Sequence, residues 1–184
     1  MKHMLQFLGG AGTVTGSKTL LSYQHKQVLI DCGLFQGLKA LRLQNWGPFP
    51  TEPGRIEALL LTHAHLDHCG YIPLLVKHGF RGDIHCTAAT AALTEIILRD
   101  SAKIQEEEAE RANRHGYTKH EPAKPLYDTE DVENCLPQFV IHDYHEWVIL
   151  DEFAKFQFRN AGHILGSAMI ELRLEEQTLL FTGD

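Results

Sequence analysis

A chain of 184 residues with 43% hydrophobic content is long enough for one domain with a buried core, and it holds no apolar run of the length a bilayer requires. Its net charge of −7, with histidine taken as neutral, excludes nucleic-acid binding through an overall basic field. The four cysteines, Cys32, Cys69, Cys86 and Cys135, form no C-x-x-C pair, which argues against a disulfide framework and against a cysteine zinc site. They read as buried thiols, and Cys69 stands apart only because it directly follows a histidine cluster. Residues 1–8 are too short and too polar for a secretory signal, so a cytoplasmic protein is the expectation.

In chain order, strands are expected at 4–8, 17–23 and 27–30. The first two flank Gly9-Gly10-Ala11-Gly12-Thr13-Val14-Thr15-Gly16. No Gly-Lys-Ser/Thr follows, and a strand comes next, so this is a turn that uses glycine dihedrals rather than a phosphate cradle. Residues 32–55, rich in glycine and proline, read as loop with a short helix near 38–44. The run 56–62 is a buried strand ended by histidines. A helix at 70–78 is stopped by Gly79, and a brief strand follows at 83–86.

A long helix spans 87–114, where Glu107 with Arg111 and Glu110 with Arg114 have ion-pair spacing. A polar stretch at 116–125 leads to a short helix at 129–137. Strands at 139–142, 146–150, 153–159, 167–174 and 177–182 complete the pattern. Strands, then helices, then strands predict a layered α/β sandwich. A chain that ends on Asp184 directly after a strand reads as truncated, a piece of a longer protein.

The chemistry is concentrated in His63-Ala64-His65-Leu66-Asp67-His68. Crowded imidazoles repel one another when protonated, and a divalent cation that holds them neutral removes that conflict. Alternate residues of an extended segment project to one side, so His63 and His65 can grip one metal. Asp67 and His68, where the chain turns into a helix, can face a second. Zinc suits this mixture of nitrogen and oxygen donors, with manganese or iron as alternatives. His163, in Asn160-Ala161-Gly162-His163-Ile164-Leu165-Gly166-Ser167, and Asp184 are further candidates at strand ends; alone, His163 would be an ordinary loop histidine. The eight other histidines, including His120, His142 and His145, read as ordinary. Trp46 and Trp147 read as partly buried aromatics.

His-x-His-x-Asp-His after an apolar strand resembles the signature of the metallo-β-lactamase superfamily. Within it the chain resembles the β-CASP branch of nucleases, which includes bacterial ribonuclease J and the endonuclease of mRNA 3′-end processing. The segments that carry this are Gly9 to Ser17, Leu29-Ile30-Asp31-Cys32-Gly33, the histidine cluster, Gly162 to Ala168, and Phe181-Thr182-Gly183-Asp184. They occur in family order and span nearly the whole chain.

The resemblance implies an α/β fold, the αββα four-layer sandwich, incomplete here. Residues 1–184 would be the N-terminal part of the metallo-β-lactamase domain, with the β-CASP domain and C-terminal remainder absent. It implies two Zn2+ ions, or Mn2+ or Fe. The first would be held by His63, His65 and His163, the second by Asp67 and His68, and Asp184 would bridge them. Asp31 would orient a ligand histidine from behind. The implied activity is hydrolysis of RNA phosphodiester bonds, single-stranded RNA first, by water activated at the metals, with Asp67 and Asp184 accepting a hydrogen bond from it. The family's further metal-binding histidine lies beyond Asp184, so a weakened second metal is expected. A glyoxalase II-like thioesterase or a lactonase uses the same cluster, and a non-catalytic RNA-processing scaffold is the alternative from another class. No membrane partner is expected; self-association is left open, as is the choice between internal and end-directed cleavage.

Overall fold

Side chains on a strand alternate between two faces, and in this chain both faces of the central strands are apolar, which forces a layer on each side. The computed structural model describes residues 3–116 and 121–184. Residues 117–120, with His120 and part of the polar stretch, lie outside the described residues. A six-stranded sheet runs in the order β1 (Met4–Gly9), β2 (Lys18–Tyr23), β3 (Lys26–Ile30), β4 (Ile56–Leu60), β5 (Asp83–Cys86) and β6 (Phe139–Ile141). The first three strands pair antiparallel, and β3 to β6 pair parallel. Parallel neighbours need crossovers, and these are supplied by α2 (Leu66–Cys69), α3 (Ile72–Lys77), α4 (Ala88–His115) and α5 (Thr129–Cys135). The short α1 (Lys39–Arg42) lies in the loop after β3 and continues as a 3-10 turn, Leu43–Trp46.

A second, antiparallel sheet has the order β10 (Gln177–Phe181), β9 (Ala168–Leu174), β8 (Ala154–Asn160) and β7 (Val148–Ile149). The alternation then sorts the core. Leu20, Leu29, Leu59 and Ile84 pack with Leu75, Leu98 and Val132 of the helices. Leu21, Val28, Ile30 and Leu60 pack with Phe156, Phe158, Ile170 and Leu172 of the second sheet. Each such side chain stabilises the fold by about 1.5–3 kcal/mol on burial. The result is the expected α/β sandwich with three layers, helix, sheet and sheet; among the described residues no helix covers the outer face of the second sheet.

Some elements differ from expectation. The helix predicted at 70–78 is α3, with Pro73 in its first turn, and the unpredicted α2 precedes it; Tyr71 N, between the two, donates to Cys32 O at 2.8 Å. The strand predicted at 146–150 shrinks to two residues, since the chain first bridges Tyr144 to Phe158 and then turns at His145, φ 65°. The i,i+4 ion pair on α4 joins Glu95 to Arg99 at 3.0 Å, not the glutamates further along. Trp46 is not partly buried but 60% exposed. The loop Gly9 to Gly16 is a turn, with Gly10, Gly12 and Gly16 at positive φ.

Candidate metal centre

Parallel strands expose their C-terminal ends at one edge of a sheet, and ligand sites gather there. Asp31 directly follows β3, Thr62 and His63 follow β4, and α2 carries Asp67 and His68. The second sheet brings His163 from the loop after β8 and Asp184 from beyond β10. One donor atom from each of His63, His65, His163 and Asp184 lies within 4.8 Å of the others. His65 Nδ1 is 3.0 Å from His63 Nε2 and 3.1 Å from His163 Nε2. Asp184 divides its oxygens: Oδ2 is 4.0 Å from His63 Nε2, and Oδ1 is 3.3 Å from His68 Nε2. Asp67 Oδ2 lies 4.0 Å from that same His68 nitrogen. All six sequence candidates therefore converge in two adjoining groups, with Asp184 between them.

The hydrogen bonds behind the site fix which nitrogen of His63 and of His68 is bare. Asp31, 2% exposed, accepts from Thr62 N at 2.8 Å and from Thr62 Oγ1 at 2.9 Å. With its proton committed to Asp31, Thr62 Oγ1 accepts from His63 Nδ1 at 2.9 Å. His68 Nδ1 donates to Asp31 Oδ2 at 2.7 Å. Both rings are thereby turned so that Nε2, without a proton in the neutral ring, points into the site. Asp31 thus touches His68 directly and reaches His63 through Thr62. Thr62 was not foreseen; its only sequence signal is a hydroxyl that closes an apolar strand beside the first histidine.

These donors fit a divalent cation. His63 Nε2 and His68 Nε2, without protons in the neutral rings, face the Asp184 carboxylate, and His65 Nδ1 has at most one proton to share between His63 and His163. Their 3.0–3.1 Å spacing is close to the roughly 3.3 Å between ligands on a tetrahedral ion with bonds of about 2.0–2.1 Å. Burial, then the neighbouring His68 and His65, pushes His63 down to about 3, which keeps it neutral as a ligand must be. For His68, burial opposes charge, but the Asp31 hydrogen bond and the charges of Asp31, Asp184 and Asp67 prevail and raise it. That negative field is the one a bound cation would meet.

The surroundings are built to hold this geometry. A Cβ on Gly33 would collide with the carbonyl of Asp67, so only glycine lets β3's exit pass beneath α2. The residue before that exit, Asp31, has φ 58°, a conformation that costs energy outside glycine and is tolerated where function holds it. On the other sheet, Ser167 Oγ accepts from the backbone N–H of His163 and Ile164, at 3.1 and 3.2 Å. Thr87 and Thr90, at the start of α4, both donate to Gly166 O, at 2.7 and 2.8 Å, and lock the His163 loop to the helical layer. Cys69 is fully buried, and burial raises its thiol, so it is inert packing.

The family profile described as the metallo-beta-lactamase superfamily matches residues 13–184, and the chain belongs to that superfamily. The chain is 39% identical over 176 residues to ribonuclease TTHA0252 of Thermus thermophilus, covering 96% of this chain and 36% of that protein. It is 31% identical over 182 residues to transcription termination factor FttA of Methanocaldococcus jannaschii, covering 98% and 27%. Against Integrator complex subunit 11 of Danio rerio the identity is 28% over 182 residues, covering 96% and 28%. The chain thus spans about a third or less of the length of these relatives. Among solved structures, the Cronobacter sakazakii metallo-beta-lactamase with the HARLDQ motif superposes with a TM-score of 0.53 at 17% identity, covering 96% of this chain and 54% of that one. That likeness shows the fold. No helix of the described residues is long and apolar enough to cross a membrane.

Proposed function

We propose that this chain carries the metal-binding part of a ribonuclease, a hydrolase that cleaves phosphodiester bonds of single-stranded RNA with two divalent ions, zinc first. His63, His65 and His163 hold the first ion, Asp67 and His68 the second, and Asp184 reaches both. The observation that carries the reading is the hydrogen-bond chain from Asp31 through Thr62 to His63, and from Asp31 to His68, which aims two bare nitrogens at the Asp184 carboxylate. Similarity to a protein named ribonuclease directs it to RNA.

When bound, such ions supply Lewis acidity at a phosphoryl oxygen and acidify water near neutral pH. The chain's own groups do the rest. Asp31 and Thr62 hold the rings in register, so no reorganisation is needed as charge develops. Asp67 and Asp184 are acceptors beside the reacting position and take a hydrogen bond from the attacking water. The three carboxylates Asp31, Asp67 and Asp184 put negative charge in the pocket itself, so a phosphate enters it only once the cations are bound. The protein works in the cytoplasm on this reading.

The test loads metal-free chain with Zn2+ or Mn2+ and counts bound ions by native mass spectrometry. The longer protein is then assayed on single-stranded RNA and on a thioester. Two ions, or one with weak uptake of a second, and metal-dependent RNA cleavage are expected. Thioester hydrolysis with intact RNA would overturn the substrate; no uptake of either metal would overturn the site.

A further inference from the structure

The charge of this chain is unevenly spread. Residues 1–51 hold five lysines or arginines and a single acid, Asp31, although the whole chain is at −7. Lys2 lies outside the described residues. Lys18 is buried against the rings of Phe35 and Tyr71, and Lys26 pairs with Glu57 and Asp151. That leaves Lys39 and Arg42, both exposed and without an ion-pair partner among the described residues.

They sit on a short helical segment of about two turns, α1 and the 3-10 turn after it. Lys39, Arg42, Leu43 and Trp46 are all exposed, with Lys39 four residues from Leu43 and Leu43 three from Trp46, a spacing that puts helical side chains side by side, while Asn45 is buried. Leu43 and Trp46 are 57% and 60% exposed. An exposed indole beside two free cations, in a stretch of 20 residues (32–51) with no acid, is complementary to a polyanion that also carries flat apolar rings.

The face is held rigidly beside the metal centre. Asn45 Nδ2 donates to Phe35 O at 2.8 Å, and its Oδ1 accepts from Phe35 N at 2.9 Å. Phe35 in turn packs against Gly16, where any Cβ would strike its ring. Gln36 N donates to Thr15 Oγ1 at 3.0 Å. Gly10, Val14 and Ser17 of that same loop border the pocket lined by Asp31, His68 and Asp184.

We propose that the exposed face of residues 39–46 is a landing platform for single-stranded RNA, on which Trp46 stacks with a base while Lys39 and Arg42 meet the flanking phosphates. The platform rests on the ribonuclease reading and adds to it the path by which the strand approaches the metals. Stacking asks only for an unpaired base, so the platform selects single strands over duplex and shows little sequence preference.

The test uses the 184-residue chain with Trp147→Phe, which leaves Trp46 as the sole indole, in EDTA so that no cleavage occurs. Labelled oligoadenylate is titrated while its anisotropy and the Trp46 fluorescence are followed together. Quenching of Trp46 that tracks binding is expected. Trp46→Ala weakens binding about ten-fold, the size of one lost base stack. Lys39→Gln with Arg42→Gln weakens it further and lowers the slope against log salt by about one to two. Inorganic polyphosphate, which has charge but no rings, leaves the fluorescence unmoved. Oligonucleotide binding without any change at Trp46, or a Trp46 response to anionic vesicles and not to RNA, would overturn the platform and leave the ribonuclease reading standing. If the metal-loaded longer protein leaves RNA uncut while the oligonucleotide still quenches Trp46, the ribonuclease reading fails and the platform does not.

Discussion

Among the described residues, His63 and His85 each stand in contact with other imidazoles, and of these two places the one at His63 has the makings of a metal centre. At the sheet edge, His63, His65 and His163 meet around Asp184. Deeper between the sheets, His85 Nδ1 lies 2.9 Å from His142 Nε2, and both rings pack on Phe156, with centroids 5.2 and 5.7 Å away. The second pair is satisfied by itself: one ring donates, the other accepts, and no further ligand group joins them within the described residues. At the sheet edge, by contrast, His63 Nδ1 is committed to Thr62 and the adjoining His68 Nδ1 to Asp31, and their Nε2 atoms are left to face the other donors. Proximity of histidines is therefore weak evidence for a metal; carboxylates behind them that decide the tautomer are the stronger sign.

The largest effect expected from this contrast is on metal uptake. His65→Ala removes the ring that faces both His63 and His163, and should abolish stoichiometric binding at the first ion; His142→Ala should leave uptake unchanged. Metal counting on both variants checks this, and equal losses would erase the distinction.

A second difference appears in acid. Burial, then His142, holds His85 down to about 4 against an ordinary 6.5, with Asp83 opposing. The unfolded chain binds that proton more tightly, so the contribution of neutral His85 to stability is complete above about 6.5 and is lost as pH falls towards 4. The loss is about 2–3 kcal/mol. Urea titrations of metal-free chain across that window should show a smaller decline for His85→Leu than for the parent. An identical decline would mean that the pair does not set acid stability.

The smallest effect sharpens the comparison most. Asp31→Asn keeps the shape but weakens its acceptance from Thr62 and His68, and should lower metal affinity by about 10–100-fold while leaving the fold intact. Thr62→Val breaks the link to His63 alone and should cost less. Competition with a chromogenic chelator, with circular dichroism as a control for folding, measures both. Unchanged affinity in Asp31→Asn would refute the tautomer argument.

The amino-acid sequence by itself determined the layered α/β class, because strand alternation with apolar residues on both faces leaves no other burial. It also determined the donor set, since His63, His65, Asp67 and His68 are adjacent in the chain and their crowding demands an explanation at short range. Only the tertiary structure decided that His163 and Asp184, on the second sheet, close the same site, and that Thr62 joins Asp31 to His63. Likewise, only packing decided that Trp46 stands in solvent while His85 and His142 meet between the sheets. These are contacts between distant segments, and the alternation that buries a strand is blind to which partner lies across the interface.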